Sequence, residues 1–218
     1  MMSLKNILFV TFSLLIFQQS FSQRNYDSYN RMGLQGGFTL FDITTSDFVT
    51  SQESGVMGGF TTRGAFYNNF DLIFGINYLS NNVGIQGSKG GNKQFIDYSI
   101  QSAQINFLGS YNIVKHHLSL EFGPILNING KMKLKRSGFD DYIIEGYDAL
   151  RADEIQDISK INFHVTGGLT AGLENFRLSA MYQYGVTNMF NKLNEKDLEN
   201  TDFEGHSSSI VLMAIFYF

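Results

Sequence analysis

The stretch IVLMAIFYF, residues 210–218, is a continuous run of apolar side chains. Seven earlier segments are also rich in apolar residues. In these segments the apolar residues recur with a period of two, which indicates β-strands with one apolar face. The pattern is clearest over residues 70–79, where Phe70, Phe74 and Tyr78 alternate with smaller or polar residues. The eight predicted strands cover residues 32–42, 55–67, 70–79, 95–111, 115–129, 161–171, 176–185 and 206–218. In the fourth of them the alternation changes phase, which suggests a bulge near Gln101 and Ser102.

The links between these strands alternate strictly in length. Two-residue turns are predicted at Asn68-Asn69, Asn112-Ile113 and Glu174-Asn175, and long connections at residues 43–54, 81–94, 130–160 and 187–205. Short turns at one rim and long loops at the other are typical of outer-membrane barrels. An open sheet edge in lipid would leave backbone groups unpaired, so the strands are expected to close. The sequence therefore predicts an all-β fold, an eight-stranded antiparallel up-and-down transmembrane β-barrel over residues 32–218.

The first residues have the pattern of an export signal. Lys5 precedes an apolar run over residues 7–17, and Ser20-Phe21-Ser22 provides small residues around a cleavage site. We predict a signal peptide over residues 1–22, a periplasmic segment over residues 23–31, and a location in the outer membrane of a Gram-negative bacterium. A net charge of −4 argues against a nucleic-acid partner, and the chain has no cysteine for a disulfide framework.

A soluble barrel of the lipocalin kind has the same alternation with its faces reversed. The polar strand faces here are mainly Gly, Asn, Gln, Ser and Thr rather than Lys and Glu, which favours a narrow packed lumen over a wetted surface. Aromatic residues also fall into two bands eight residues apart, or roughly 20 Å at ~3.3 Å per residue and a tilt of about 40°. The predicted lipid-interface aromatics are Phe66, Phe70, Tyr78, Tyr111, Phe176, Tyr184 and Phe218.

Charged and amide side chains on the inward faces predict a polar network in the lumen, formed by Arg63, Asp71, Gln104, Glu121, His164 and Arg177. Buried charges need partners, so we expect Arg63 to pair with Glu121 and Asp71 to pair with Arg177. The interior of an eight-stranded barrel is just wide enough to be filled by side chains. We therefore expect a plug rather than an open pore.

His117, Ser119 and Glu121 are residue types used in nucleophilic catalysis, but alternate strand positions are about 6 to 7 Å apart at each step. We therefore predict no catalytic site, and no spacing among the histidines suggests a metal site or a cofactor. In the third long connection, an acidic stretch predicts binding of divalent cations or of another envelope protein, and the basic run before it predicts loop contacts with lipopolysaccharide phosphates. The basic run consists of Lys131, Lys133, Lys135 and Arg136.

Two stretches, LSLEFGPIL over residues 118–126 and AMYQYGVTN over residues 180–188, resemble the L-x-x-G-P strand and the Y-x-Y-G-L-T-N strand end of the PorT-like, porin-like small barrels of Bacteroidetes. The resemblance implies an outer-membrane barrel and defines no catalytic residue. The C-terminal strand, which ends in Phe218, is the expected contact for the barrel-assembly machinery. The sequence predicts a non-enzymatic envelope component or interaction platform acting through its external loops. A narrow channel or transporter for a small or apolar solute is the alternative.

Overall fold

The computed structural model describes residues 29–218, which form one closed antiparallel β-barrel. The predicted signal peptide and most of the predicted periplasmic segment lie outside these residues. The strands are β1 (Asn30–Thr44), β2 (Thr50–Tyr67), β3 (Phe70–Lys89), β4 (Asn92–Val114), β5 (Leu118–Leu134), β6 (Ile143–Ile144), β7 (Ile161–Gly172), β8 (Phe176–Gly185) and β9 (His206–Tyr217).

Eight of these strands form the ring, in which each strand pairs with its neighbour along the chain. The ring closes where β1 pairs with β9, with Gly33 opposite Tyr217 and Thr44 opposite His206. The remaining strand, β6, lies in the connection after β5 and pairs with β3 at Gly87 and Ser88. The predicted eight-stranded antiparallel barrel is confirmed.

The alternation of apolar and polar residues sets the two faces of the wall. In β3, Phe70, Phe74 and Tyr78 point out and are exposed, whereas Asp71 and Asn77 point into the lumen and are buried. Phe38 in β1 and Phe60 in β2 are 70% and 63% exposed on the same outer surface. The barrel therefore presents an apolar exterior over its lower part, where the interior holds polar side chains together with a small buried apolar cluster. The members of this cluster are Met57, Ile73, Leu79, Leu108, Met181 and Val211.

Higher up the wall, the apolar residues change to the inner face. In β4, Ile96, Tyr98 and Ile100 are buried inside, whereas Phe107 lies outside. The bulge predicted near Gln101 and Ser102 is confirmed in its position, since the pairing of β4 with β5 shifts register between Ile100 and Ser102. The strand differs, because β4 keeps its alternation there and the extra residue lies opposite, in β5. The apolar positions move from the outer face to the inner face because the surroundings of the two faces change along the strand. The backbone of β4 continues through this point.

The connections differ from the prediction in three places. The long connection predicted over residues 43–54 is wrong, because β1 runs on to Thr44 and β2 already begins at Thr50, which leaves only residues 45–49 between them. The long connection predicted over residues 81–94 is wrong, since β3 and β4 continue as one hairpin that turns at Gly90 and Gly91, both with positive φ. The turn predicted at Asn112-Ile113 is also wrong, because β4 runs on to Val114 and the chain turns at residues 115–117, where His116 has a φ of 65°.

The other predicted short turns are confirmed. Asn68 adopts a φ of 51° in the turn between β2 and β3, and the amide of Leu173 donates to the carbonyl of Phe176 across Glu174-Asn175. The connections over residues 135–160 and 186–205 are long and contain three short 3₁₀ turns. No helix within residues 29–218 is long and apolar enough to cross a membrane.

Close contact between β1 and β9 depends on a glycine. A Cβ atom at Gly37 would lie 2.0 Å from the carbonyl oxygen of Leu212, far inside van der Waals contact. At the preceding Gly36, the nearest atom to such a Cβ is the carbonyl oxygen of Met57 at 3.5 Å, an ordinary contact. Gly37 thus allows the closing strands to approach, as glycines do at bends in barrel walls.

Candidate functional site

The lower lumen is organised around Arg63, whose side chain is 1% exposed. Its Nε donates to Asp71 Oδ2 at 2.8 Å and its Nη1 donates to Glu121 Oε1 at 2.9 Å. Its Nη2 donates to the hydroxyls of Ser110 at 2.5 Å and Ser119 at 3.2 Å. A buried guanidinium thus crosses the lumen from β2 to β5 and neutralises two buried carboxylates.

One of the two ion pairs predicted from the sequence forms and the other does not. Arg63 pairs with Glu121 as expected. Asp71 pairs with Arg63 rather than with Arg177, and it also accepts a hydrogen bond from Tyr29 Oη at 2.6 Å. The reason is geometric, because β3 and β8, which carry Asp71 and Arg177, are four places apart in either direction around the ring. Arg177 is buried, and its Nε and Nη1 have no hydrogen-bond partner within the described residues.

Above the charged layer, amide side chains hydrogen-bond across the lumen. Gln104 Nε2 donates to Asn127 Oδ1 at 3.0 Å and to Gln183 Oε1 at 3.1 Å. The ring of His164 lies 3.1 Å from the Asn127 amide nitrogen and 3.0 Å from the Ser207 hydroxyl, which links β5, β7 and β9. The cavity left among these side chains has a volume of about 20 Å³. That is room for about one water molecule.

The outer mouth of the barrel is closed by an apolar core, which we call the head core. It joins inward-facing strand residues to apolar residues of the long connections. Phe48 lies at its centre, stacked on Phe203 with ring centroids 5.4 Å apart and edge-on to Phe190 at 5.1 Å. Its buried members are Phe41, Ile43, Phe48, Val83, Ile85, Ile96, Tyr98, Ile100, Met132, Ile144, Leu150, Ala152, Ile155, Ile158, Met189, Phe190, Leu193 and Phe203. The loops are thus packed into the barrel mouth rather than extended away from it.

The residue types suited to nucleophilic catalysis do not meet as a triad. His117 lies exposed in the turn before β5, and its Nδ1 is 2.9 Å from the carbonyl oxygen of Gly172. Ser119 donates directly to Glu121 at 3.1 Å, so the separation predicted between these two side chains is wrong. Ser119 and Glu121 are both buried beside Arg63, and the Glu121 carboxylate already accepts a hydrogen bond from the Arg63 guanidinium. Within residues 29–218, no group of three or more His, Asp or Glu side chains could hold a metal ion.

The predicted interface aromatics all lie on the outer surface and are exposed. Phe70 and Tyr111 pack together at the short-turn rim, with ring centroids 5.1 Å apart. Tyr184, eight residues along β8 from Phe176, stacks on His206 near the loop rim. The two bands enclose the exposed apolar side chains of the wall.

The predicted basic loop contacts are all exposed. Lys131 pairs with Asp157 at 2.8 Å, and Asp157 also pairs with Lys196 from the following long connection at 2.5 Å. Hydrogen bonds from these two lysines lower the pKa of Asp157 below its usual value. Sequence reasoning missed Lys196, because no local pattern signals that two loops separated by a hairpin meet.

Solved structures of small outer-membrane proteins resemble the barrel, among them the following three. Neisserial surface protein A aligns with a TM-score of 0.52 and 14% identity over 86% of this chain and 97% of that chain. OprG from Pseudomonas aeruginosa aligns with a TM-score of 0.47 and 11% identity, over 88% and 97% of the two chains. Ail from Yersinia pestis aligns with a TM-score of 0.46 and 14% identity, over 87% and 99%. The first likeness shows a shared fold, that of a small outer-membrane barrel protein. Neither a protein-family model nor a curated protein sequence matches the chain.

Proposed function

We propose that this protein is a non-enzymatic, non-conducting outer-membrane barrel that holds an ordered head at the cell surface as an interaction platform. The observation that carries the proposal is the head core, in which both long connections pack into the barrel mouth. Because loops on a rigid scaffold are common sites of recognition, a fixed head suits a binding role better than a transport role.

The outer surface of the wall supports the membrane location. Large apolar side chains are exposed on every strand of the ring, including Phe38, Phe60, Phe107, Phe163 and Phe216. Soluble monomers rarely expose a contiguous apolar surface of this extent. A lipid environment would cover this surface, and the closed ring leaves no sheet edge in the lipid.

The head gains rigidity from the long hairpin of β3 and β4. These strands have 20 and 23 residues, whereas a membrane-spanning strand needs about 10. The upper part of β3 pairs with β6, and Tyr98 Oη donates to the carbonyl of Ala152 at 2.9 Å. The hairpin therefore holds the following connection in a defined position above the lipid.

The finer assignments belong to the same proposal. The two motifs favour the PorT-like barrels of Bacteroidetes, and the leader favours export to a Gram-negative outer membrane with cleavage after residue 22. The proposed partners are outer-membrane lipid and lipopolysaccharide, the barrel-assembly machinery through β9, and an extracellular or envelope protein. An N-terminal sequence of the purified protein beginning at Gln23 would support the leader assignment.

The proposal is tested by recording currents from the purified full-length protein in planar bilayers. We expect no steady conductance above leakage, because the residual lumen cavity holds about one water molecule. A variant with residues 137–156 replaced by a short Gly-Ser linker should also stay silent, since the layer around Arg63 remains, and should lose binding to envelope partners. Its heat-modifiable gel mobility reports that the barrel is folded. Steady conductance from the unaltered protein would refute the proposal and favour the channel for a small solute.

A further inference from the structure

Four lysines surround a cavity on the outside of the barrel, where β5 meets the two long connections. We call it the basic pocket. Its volume is about 400 Å³, and its lysines are Lys131, Lys160, Lys192 and Lys196. These residues come from three separate segments of the sequence, so the cluster exists only in the folded protein.

The basic pocket holds an excess of positive charge. Its lining includes two carboxylates, Asp157 and Glu195, against the four ammonium groups. Asp157 is shared by Lys131 and Lys196, and Glu195 pairs with Lys192 at 2.5 Å. Lys160 makes no ion pair within residues 29–218. A local surplus of cations in a chain with a net charge of −4 favours an anionic occupant.

A second cavity continues the basic surface along the wall. It has a volume of about 450 Å³ and shares Gly130 and Lys131 with the basic pocket. Lys133 adds a fifth ammonium group, and Leu134 adds an apolar side chain. The combined surface is therefore long enough for an extended headgroup rather than a single small ion.

The height of the basic pocket points to a lipid. Ile128 in β5 and Ile161 in β7 are paired in register and are both exposed on the outer wall. Asn129 and Lys160, the next residue on each side of this pair, line the pocket. The ammonium groups thus begin where the apolar wall ends, which is the level of lipid phosphates in an inserted barrel.

We propose that the basic pocket binds the phosphate of a phosphorylated lipid in the outer leaflet, with the acyl chains lying on the wall below it. The inference rests on the proposed membrane insertion. Lysines bind phosphate as point charges and do not need the fixed geometry of a bidentate contact. Asp157 holds two of the lysines in place, whereas Lys160 is the group most available to a ligand.

The test measures lipid binding to the full-length protein in a neutral detergent by native mass spectrometry. The probes are diphosphorylated lipid A and the same lipid with its phosphates removed. The variant K160Q/K192Q removes two charges from the basic pocket, and the control K89Q/K93Q removes two exposed charges outside it, at the tip of the β3–β4 hairpin. At about 1 kcal/mol per lysine near an anionic surface, the pocket variant should bind the phosphorylated lipid about 30-fold more weakly. The control variant should change the affinity less than threefold, and the dephosphorylated lipid should bind weakly to all three proteins.

Three results would overturn the inference. Equal losses in both variants would mean diffuse charge attraction, and equal binding of both lipids would mean that the phosphate is not recognised. Displacement of the lipid by inorganic phosphate at an equal concentration would mean a free-phosphate site. In each case the bilayer recordings remain silent and the protein still requires detergent, so the proposed function stands. A protein that is monomeric and folded without detergent would instead contradict the proposed function itself.

Discussion

Replacing Arg63 with methionine should destabilise the barrel strongly, because it leaves Asp71 and Glu121 buried without their cation. Both carboxylates are nearly inaccessible, and each accepts a direct hydrogen bond from the Arg63 guanidinium at 2.8–2.9 Å. Breaking a buried ion pair by removing one partner costs about 3–5 kcal/mol. We expect the upper part of that range, since one substitution leaves two carboxylates unpaired.

The measurement is urea-induced unfolding of the protein in lipid vesicles, followed by circular dichroism. Arg31 provides a matched control, because it pairs with Glu174 at the exposed rim, and its replacement by methionine should cost less than about 1 kcal/mol. The triple variant R63M/D71N/E121Q removes both unpaired charges and should recover most of the loss. A cost below 1 kcal/mol for R63M, or a triple variant no more stable than the single one, would refute this account of the lumen.

Further predictions concern the wall, the head and the loop charges. Gly37→Ala should lower the free energy of unfolding by more than about 2 kcal/mol, because its Cβ would collide with the backbone of β9, whereas Gly36→Ala should change it by less than about 1 kcal/mol in the same urea assay. Phe48→Ala should lower the stability of the head core by about 3–5 kcal/mol and expose the long connections to limited proteolysis. The control Val49→Ala, at an exposed side chain, should leave the cleavage rate unchanged. The lowered pKa of Asp157 means that its lysine contacts stabilise the fold above pH 3.8 and that this contribution is lost as the pH falls below it. An NMR titration should place its midpoint below 3.8, and glutamine at both lysine partners should raise the midpoint toward that value.

The sequence predicts the barrel well because one physical rule acts along every strand. A side chain on a strand faces either the lipid side or the lumen, so a period of two reports the environment directly, as in Phe70 to Tyr78. The same rule fails above the wall. The apolar residues at 83, 85, 96, 98 and 100 face inward there. The long connection predicted over residues 81–94 and the assignment of the bulge to β4 both came from treating the change of face as a break in the strand.

The side-chain partners within the lumen were less predictable. The alternation predicts whether a side chain faces the lumen, but it does not predict which strands lie opposite one another across the lumen. Arg63 and Glu121 were correctly paired, whereas Asp71 and Arg177 lie on opposite walls. The basic pocket and the head core depend on contacts between residues far apart in the sequence, such as Phe48 with Phe203. No local periodicity encodes contacts of that kind.

The change of face along the strands also sets how deeply the barrel sits in a bilayer. In β1 the last exposed apolar residue is Leu40 and the first buried one above it is Phe41, and in β4 the corresponding change lies between Ala103 and Ile100. Sliding the barrel outward by two residues would bring apolar wall into water, and sliding it inward would bring the hydrated surface of the head into acyl chains. A displacement of the barrel along the membrane normal is thus unfavourable in either direction. The surface presented by the head therefore stays at a constant distance from the lipid headgroups.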